Sequence, residues 1–346
     1  MSVNQLRITR PDDWHLHLRD GPVLAHLVAD TASSFARAII MPNLSPPVTT
    51  VAQALAYRDR ILAACPRDSV FEPLMTLYLT DDTQPEEIVR AANCEHVHAL
   101  KLYPAGATTN SAAGVTDLDR VAGALEAMEK YDLPLLIHGE VVGEEIDVFD
   151  REAIFIETKL CRLADQFPAL RMVLEHITTQ EGGDFVSQAR DGVAGTITPH
   201  HLLINRNALF SGGMRPHHYC LPVAKRERHR QALLRAATSG NPRFFLGTDS
   251  APHPKSAKES HCGCAGIYVA HAAIELYAEA FDSVGALSKL EAFASFHGPD
   301  FYGLERNSDH LILERTVWDV PPVLPFGDGE LVPFRAGESV SWRIMS

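Results

Sequence analysis

Residues 133–140 read LPLLIHGE, residues 171–177 read RMVLEHI and residues 243–249 read RFFLGTD. Each run is apolar through its length and carries an ionisable residue at its end: His138, His176 or Asp249. Successive side chains of a β-strand point to opposite faces, so a strand wet on one side alternates apolar with polar. A strand apolar on both faces is covered on both, as in a parallel sheet flanked by helices. Five more runs of this kind, at 6–18, 38–43, 71–80, 97–104 and 193–201, bring the number of expected strands to eight.

Helical patterns lie between them. Within 117–131, Leu118, Val121, Ala122, Leu125 and Met128 recur at helical spacing, with Thr116 or Asp117 placed to cap and Pro134 beyond the end. Within 149–167, the residues at 149, 153, 156, 160, 163 and 167 form one apolar stripe. Repeated strand–helix alternation predicts an α/β fold with a parallel sheet. His17, Asn43, Lys101, His138, His176, the pair His200–His201 and Asp249 all stand at or near the C-terminal ends of the apolar runs. In an open sheet these ends would spread apart; in a closed barrel they meet at one mouth. The expected architecture is therefore a (β/α)8 TIM barrel. The Pro-rich segment from about 302 to 346, with a hairpin-like pair at GDGELVPF and ESVSWRI, is expected to be a short C-terminal appendage on a single domain spanning 1–346.

Composition narrows the function. The formal charge is −13, which repels phosphate backbones and anionic lipid and argues against nucleic acid or a membrane surface as partner. The longest uncharged stretch, 38–57, is interrupted by Pro42, Pro46 and Pro47 and cannot form a membrane span. The first ten residues hold no apolar core of a signal peptide, and the six cysteines are scattered, so a cytoplasmic protein with reduced thiols is expected.

The chemistry rests on the histidines. His15 and His17 are two apart on a strand and share a face, which lets both imidazoles reach one metal ion; they could also be two ordinary core or surface histidines. His138 and His176 on neighbouring strands, facing that pair, are harder to explain as packing. Asp249 adds a carboxylate, unless it merely caps a helix. Four histidines and an aspartate exceed the three protein ligands of a simple catalytic zinc site, so two metals are expected. Lys101 has three readings: a lysine leaning to solvent, a Schiff-base amine of depressed pKa, or an amine carboxylated to a carbamate that bridges two metals. The surrounding ligand set favours the third.

The segments PDDWHLHLRDG (11–21), MPNLSPPVTT (41–50), KLYPAGATTNS (101–111), HGE (138–140), EHITT (175–179), GGMRPHHYCLP (212–222), LGTDSAPH (246–253) and ESHCGCAG (259–266) occur in that order. Together they resemble the amidohydrolase superfamily and, within it, the shorter, single-domain dihydroorotase family; FYGL at 301–304 fits the same pattern. Only 14 residues precede His15, too few for the N-terminal half of the β-sandwich that many superfamily members carry.

The resemblance implies reversible, zinc-dependent cyclisation of N-carbamoyl-L-aspartate to L-dihydroorotate, a step of pyrimidine biosynthesis, in a cytoplasmic homodimer. It assigns one Zn2+ to His15, His17 and Asp249 and a second to His138 and His176, bridged by Lys101 as N6-carboxylysine and by hydroxide. Asp249 would be the general acid/base. Substrate contacts would come from His17, Arg19, Asn43, His138, Leu221, His253 and Ala265, with Arg19 the bidentate partner of a carboxylate. Thr108 and Thr109 would belong to a loop, hinged at Gly106 and Gly114, that closes over the mouth. Cys262 and Cys264 are read as reduced thiols, and His200, His201, His217, His218 and His261 as lying outside the ligand set. A hydantoin or dihydropyrimidine amidase is the competing enzyme, disfavoured because those rings lack the carboxylate for Arg19 and Asn43. A catalytically dead scaffold is disfavoured because every ligand position is filled.

Overall fold

Eight parallel strands pair in sequence order in a computed structural model that describes residues 4–261 and 263–345. Strand β1 (Gln5–Thr9) lies outside this sheet; the sheet consists of β2 (Asp13–Leu16), β3 (Arg37–Ile40), β4 (Glu72–Leu79), β5 (Val97–Leu102), β6 (Leu135–Ile137), β7 (Met172–Leu174), β8 (Val193–Ile197) and β9 (Phe244–Leu246). The first and last of these join along a seam, where Asp249 N donates to His15 O at 2.9 Å and His17 N to Ser250 O at 3.1 Å. The fold is a (β/α)8 TIM barrel, as the strand pattern predicted.

Period-two alternation sorts the strand residues. Ile39, Leu74, Ala99, Leu136, Val173, Ala194 and Phe245 pack together inside the barrel, with Trp14. Their neighbours Ala38, Ile40, Met75, Leu100, Leu135, Ile137, Met172, Leu174, Val193, Ile197, Phe244 and Leu246 belong to the outer core beneath the helices. That both sets are apolar is why these strands read as continuous hydrophobic runs. Between the strands, Asp117 does cap its helix, accepting from Asp119 N at 3.0 Å. The 149–167 stripe forms a helix over 151–166 with one wider turn at Ile156–Leu160, burying Phe155, Ile156, Leu160 and Leu163.

Two expectations need correction. The run at 6–18 is two strands, not one: β1 leaves the barrel and pairs antiparallel with β10 (His310–Glu314), which in turn pairs with β15 (Arg343–Ile344). Asp12, wholly buried, receives Arg37 Nε and Nη2 at 3.0 and 2.6 Å where the chain passes from one sheet to the other. The C-terminal pairing also differs. GDGELVPF pairs with the segment before it, β12 (Leu324–Phe326) against β13 (Gly329–Leu331), while ESVSWRI supplies β14 (Ser339–Val340) to β11 (Trp318–Asp319) and β15 to β10. The tight turn at Gly327 makes the shorter hairpin the closer partner. Among the described residues no helix is long and apolar enough to cross a membrane.

The barrel interior is sealed at its N-terminal end by the helix His297–Tyr302. Tyr302 stacks on Trp14 with centroids 4.5 Å apart and planes 8° from parallel, and Phe245 meets Trp14 edge-on at 6.2 Å. Such pairs contribute ~0.5–1.5 kcal/mol each beyond simple burial. The helix approaches this closely because residue 298 is glycine; a Cβ there would overlap the Trp14 indole. Gly298→Ala is expected to destabilise the fold by ~1–3 kcal/mol through overpacking. Calorimetry would show a lowered melting temperature; a variant melting with the wild type would mean that the contact carries no stability.

Candidate active site and metal centre

The inner face that holds Ala99, Leu136 and Phe245 continues, toward the C-terminal ends, into polar residues. Two positions beyond Ala99 is Lys101, and two beyond Leu136 is His138; both are buried. β2 breaks the alternation: its register against β3 shifts between Asp13 and Leu16. Asp13 Oδ1 receives His15 N at 3.1 Å and Thr248 N at 2.8 Å, tying the two edges of the seam together. His176 and Asp249 both lie beyond the last paired residue of their strands and have φ of 41° and 46°. Left-handed backbone is uncommon outside glycine and costs of order 1–3 kcal/mol, a strain found where a side chain must be aimed.

His15 Nε2 and His17 Nε2 are 3.1 Å apart, and Asp249 Oδ1 lies 3.3 Å from the first and 3.1 Å from the second. On the far side, His17 Nδ1 donates to Asn43 Oδ1 at 2.8 Å, and His15 Nδ1 lies at ion-pair distance, 3.0 Å, from Glu175 Oε1. With a proton on each Nδ1, both Nε2 lone pairs and a carboxylate oxygen aim at one point. Three acceptors so arranged repel one another unless a cation lies between them, so this set fits a metal ion. Burial pushes the His17 pKa down to about 4, and that of His176 well below its usual value, keeping both imidazoles neutral as ligands must be. Asp249 is held well below the usual carboxylate range; burial opposes this, but the adjoining imidazoles of His15 and His17 outweigh it.

A second group adjoins the first. The His176 ring lies 5.0 Å from His15 and 4.8 Å from His138, centroid to centroid, and its buried Nδ1 has no hydrogen-bond partner. His138 Nε2 pairs with buried Glu140 Oε2 at 2.8 Å, leaving Nδ1 as its free donor atom. Lys101 is fully buried and ion-paired with Glu175, and its Nζ lies 5.1 Å from the Tyr103 ring centroid. Burial lowers the Lys101 pKa, with Glu175 pulling the other way. The residues therefore fit two neighbouring ions as well as one.

A narrow cavity opens over this cluster, lined by His17, Arg19, Asn43, Tyr103, Thr108, Thr109, His138, His176, Cys220, Leu221, Asp249, Ala251, Ala265 and Gly266. Arg19 is clamped by Nε donating to Pro252 O at 2.9 Å and Nη2 to His253 Nε2 at 3.0 Å. Burial and the Arg19 charge push the His253 pKa down to about 3, so it serves as a neutral acceptor. His253 thus stands behind Arg19 at the cavity edge. The 104–114 segment is folded down as a roof: Thr109 Oγ1 donates to Ala265 O at 3.3 Å, Asn43 Nδ2 to Thr109 O at 3.2 Å and Asn110 Nδ2 to Asn43 O at 3.0 Å. Gly114 closes its base, where a Cβ would strike the Tyr103 carbonyl.

All residues read as site residues from the sequence come together here. Four that were not singled out also take part: Glu175, Glu140, Tyr103 and Cys220. Glu175 had a legible signal, since Val173 faces inward and Glu175 is two positions on. The histidines read as outside the ligand set do not line the cavity. His201 is held between Thr198 Oγ1 at 2.8 Å and Pro222 O at 3.1 Å, His217 pairs with Glu259 at 3.0 Å, and His218 Nδ1 meets Ala208 O at 3.0 Å. His200 is buried beside Cys220 and His201, and His261 is exposed. Cys65, Cys94, Cys161, Cys220 and Cys264 are free thiols; Cys262, one of the two read from the sequence as neighbouring thiols, lies outside the described residues.

Metal should stabilise a site built this way. At a hundredfold excess over its Kd, a divalent ion is expected to add ~2.7 kcal/mol per site to unfolding. Thermal melting of metal-free protein with and without added Zn2+ checks this, and His15→Ala with His17→Ala should abolish much of the gain.

Residues 12–311 match the amidohydrolase family. The dihydroorotase of Nitrosococcus oceani is 65% identical over 342 residues, covering 99% of each chain. The crystal structure of the Campylobacter jejuni dihydroorotase superposes with a TM-score of 0.91 at 36% identity, covering 100% of this chain and 99% of the other. That of the Saccharomyces cerevisiae dihydroorotase in complex with 5-fluoroorotic acid gives 0.90 at 34% identity, covering 99% of both. With these matches spanning barrel, cavity and appendage alike, the chain belongs to the amidohydrolase family, among its dihydroorotases, and is a cyclic amide hydrolase.

Proposed function

We propose that this chain interconverts N-carbamoyl-L-aspartate and L-dihydroorotate, closing the ring with loss of water, in the formation of pyrimidine nucleotides. The observation that carries this reading is the convergence of His15, His17 and Asp249, at 3.1–3.3 Å, beneath a cavity that also holds a clamped arginine. The yeast relative was solved with 5-fluoroorotic acid, a pyrimidine carboxylate, which agrees with an arginine at the cavity edge.

Two divalent ions, taken as Zn2+, would be held by His15, His17 and Asp249 and by His138 and His176, with Lys101 as N6-carboxylysine between them. Bound there, they supply activated water at neutral pH and a Lewis acid for the carbonyl. Arg19 presents its planar fork to the substrate carboxylate, braced by Pro252 O and by His253. Asn43 adds an amide to that contact. Leu221 and Ala265 bound the ring through backbone atoms, with His17 and His138 on the metal side. Thr108 and Thr109 offer hydroxyls from the roof, which also keeps bulk water away from the reacting bond.

Asp249 moves the proton. In the hydrolytic direction its carboxylate accepts a proton from the attacking water and delivers it to the ring nitrogen as the amide C–N bond breaks. Closure runs these transfers in reverse. Residues 1–346 act in this proposal as one catalytic unit with its C-terminal appendage, in a cytoplasmic homodimer; the family resemblance supports the zinc, the dimer and the location.

Metal-loaded wild-type protein is expected to hydrolyse L-dihydroorotate, followed by loss of substrate absorbance. Lys101→Ala should reduce turnover by more than ~100-fold, beyond what losing an outer partner of a metal ligand costs. Absence of turnover in fully loaded wild type would overturn the reading.

A further inference from the structure

Glu175 does not line the cavity and cannot reach a substrate, yet it is buried at the base of the proposed centre. Strand alternation sends it inward, two residues beyond Val173. Oε1 lies 3.0 Å from His15 Nδ1, and Oε2 contacts Lys101 Nζ. A buried carboxylate costs several kcal/mol unless its partners are well placed. Here both partners are residues of the centre, one from its first ligand group and one from the position between the two groups.

We infer that Glu175 is a positioning residue for the metal centre, orienting His15 and Lys101 together. This rests on the metal-dependent reading above. Its first task is to hold the His15 proton on Nδ1. An imidazole so held presents only the Nε2 lone pair, on the side where His17 and Asp249 converge. Its second task is to hold Lys101 Nζ. An ammonium nitrogen has N–H bonds to donate, and a carbamate nitrogen keeps one, so a carboxylate acceptor suits the lysine in either form. One side chain thereby sets the relative placement of two ligands that lie on different strands and are far apart in sequence. Glu140 stands in the same relation to His138 but touches only that one ligand.

The chemistry selects the test. Glutamine has the size of glutamate but offers one oxygen and one NH2 group. In Glu175→Gln the amide can accept from one partner only, and its N–H bonds then face the other partner's N–H. Metal-free wild type, Glu175→Gln and Glu175→Asp would be titrated with Co2+, following the visible bands of the bound ion and, by elemental analysis, the ions held per chain. Carbamate formation would be read in parallel from the 13C signal of protein incubated with 13CO2 and metal.

The expected result is a 10–100-fold weaker cobalt affinity for Glu175→Gln, with altered band positions and a reduced carbamate signal. In the His15→Ala background, the same substitution should produce a smaller further loss, because its action through His15 is already gone. Wild-type affinity, bands and carbamate signal in a folded Glu175→Gln protein would overturn the inference. Should that variant not fold, Glu175→Asp carries the test: its shortened side chain should lose the contact with at least one partner and weaken cobalt binding, and unchanged binding would overturn the inference equally. Wild type that binds no cobalt would overturn the underlying metal reading instead, which separates the two failures.

Discussion

Two backbone hydrogen bonds, Asp249 N to His15 O and His17 N to Ser250 O, close the sheet on itself. They pair no side chains, but the centre depends on them. His15 and His17 lie near the start of the chain and Asp249 more than two hundred residues later, and only closure brings the first and last strand ends to one point. Buried Asp13 reinforces the seam by accepting from Thr248 N and Thr248 Oγ1 at 2.8 and 2.5 Å. Burial raises the Asp13 pKa to about 6, opposed by those bonds from Thr248. The joint that aligns the ligands is therefore itself a polar contact inside the wall.

Around that joint the molecule separates two kinds of interior. Below, Trp14, Phe245 and Tyr302 fill the barrel with aromatic surface and exclude water. Above, the same inner face carries Lys101, His138 and Glu175, with Lys101 paired to Glu175, Glu175 also facing His15, and His138 bonded to Glu140. The apolar layer gives the polar one a rigid floor and a low dielectric, which strengthens every charge interaction in it. In a chain of net charge −13, Arg19 places a cation at the cavity edge with its guanidinium braced by Pro252 O and His253.

The roof shows how the cavity and the centre are coupled. Asn43 touches both: its Oδ1 holds the His17 proton and its Nδ2 reaches Thr109 O in the 104–114 segment. In its folded-down position the segment therefore completes the environment of an imidazole in the centre as well as the wall of the cavity. Both ends of the Asn43 amide are occupied within the protein in this arrangement, so a substrate contact there would exchange with one of these bonds.

Much of this could be read along the chain. Apolar runs ending in His138, His176 and Asp249 told of a covered parallel sheet, and the H-x-H pair with three more ligands told of metal, because strand periodicity and ligand chemistry are local properties. The run at 6–18 misled, since β1 and β2 adjoin in sequence, although β1 alternates Leu6 and Ile8 with polar residues and pairs with β10 outside the barrel. Glu175 was passed over because a histidine follows it. By alternation Glu175 is the inward residue, and His176 reaches the centre only through a left-handed backbone beyond the strand end. What the sequence determined by itself is the alternation of covered strands with helices and the side chains able to bind metal, since these follow from residue type and spacing. Which nitrogen of each histidine faces the ligand point, which carboxylate stands behind it and how the roof lies over the cavity were decided by the tertiary structure alone, because each depends on contacts between strands distant in sequence.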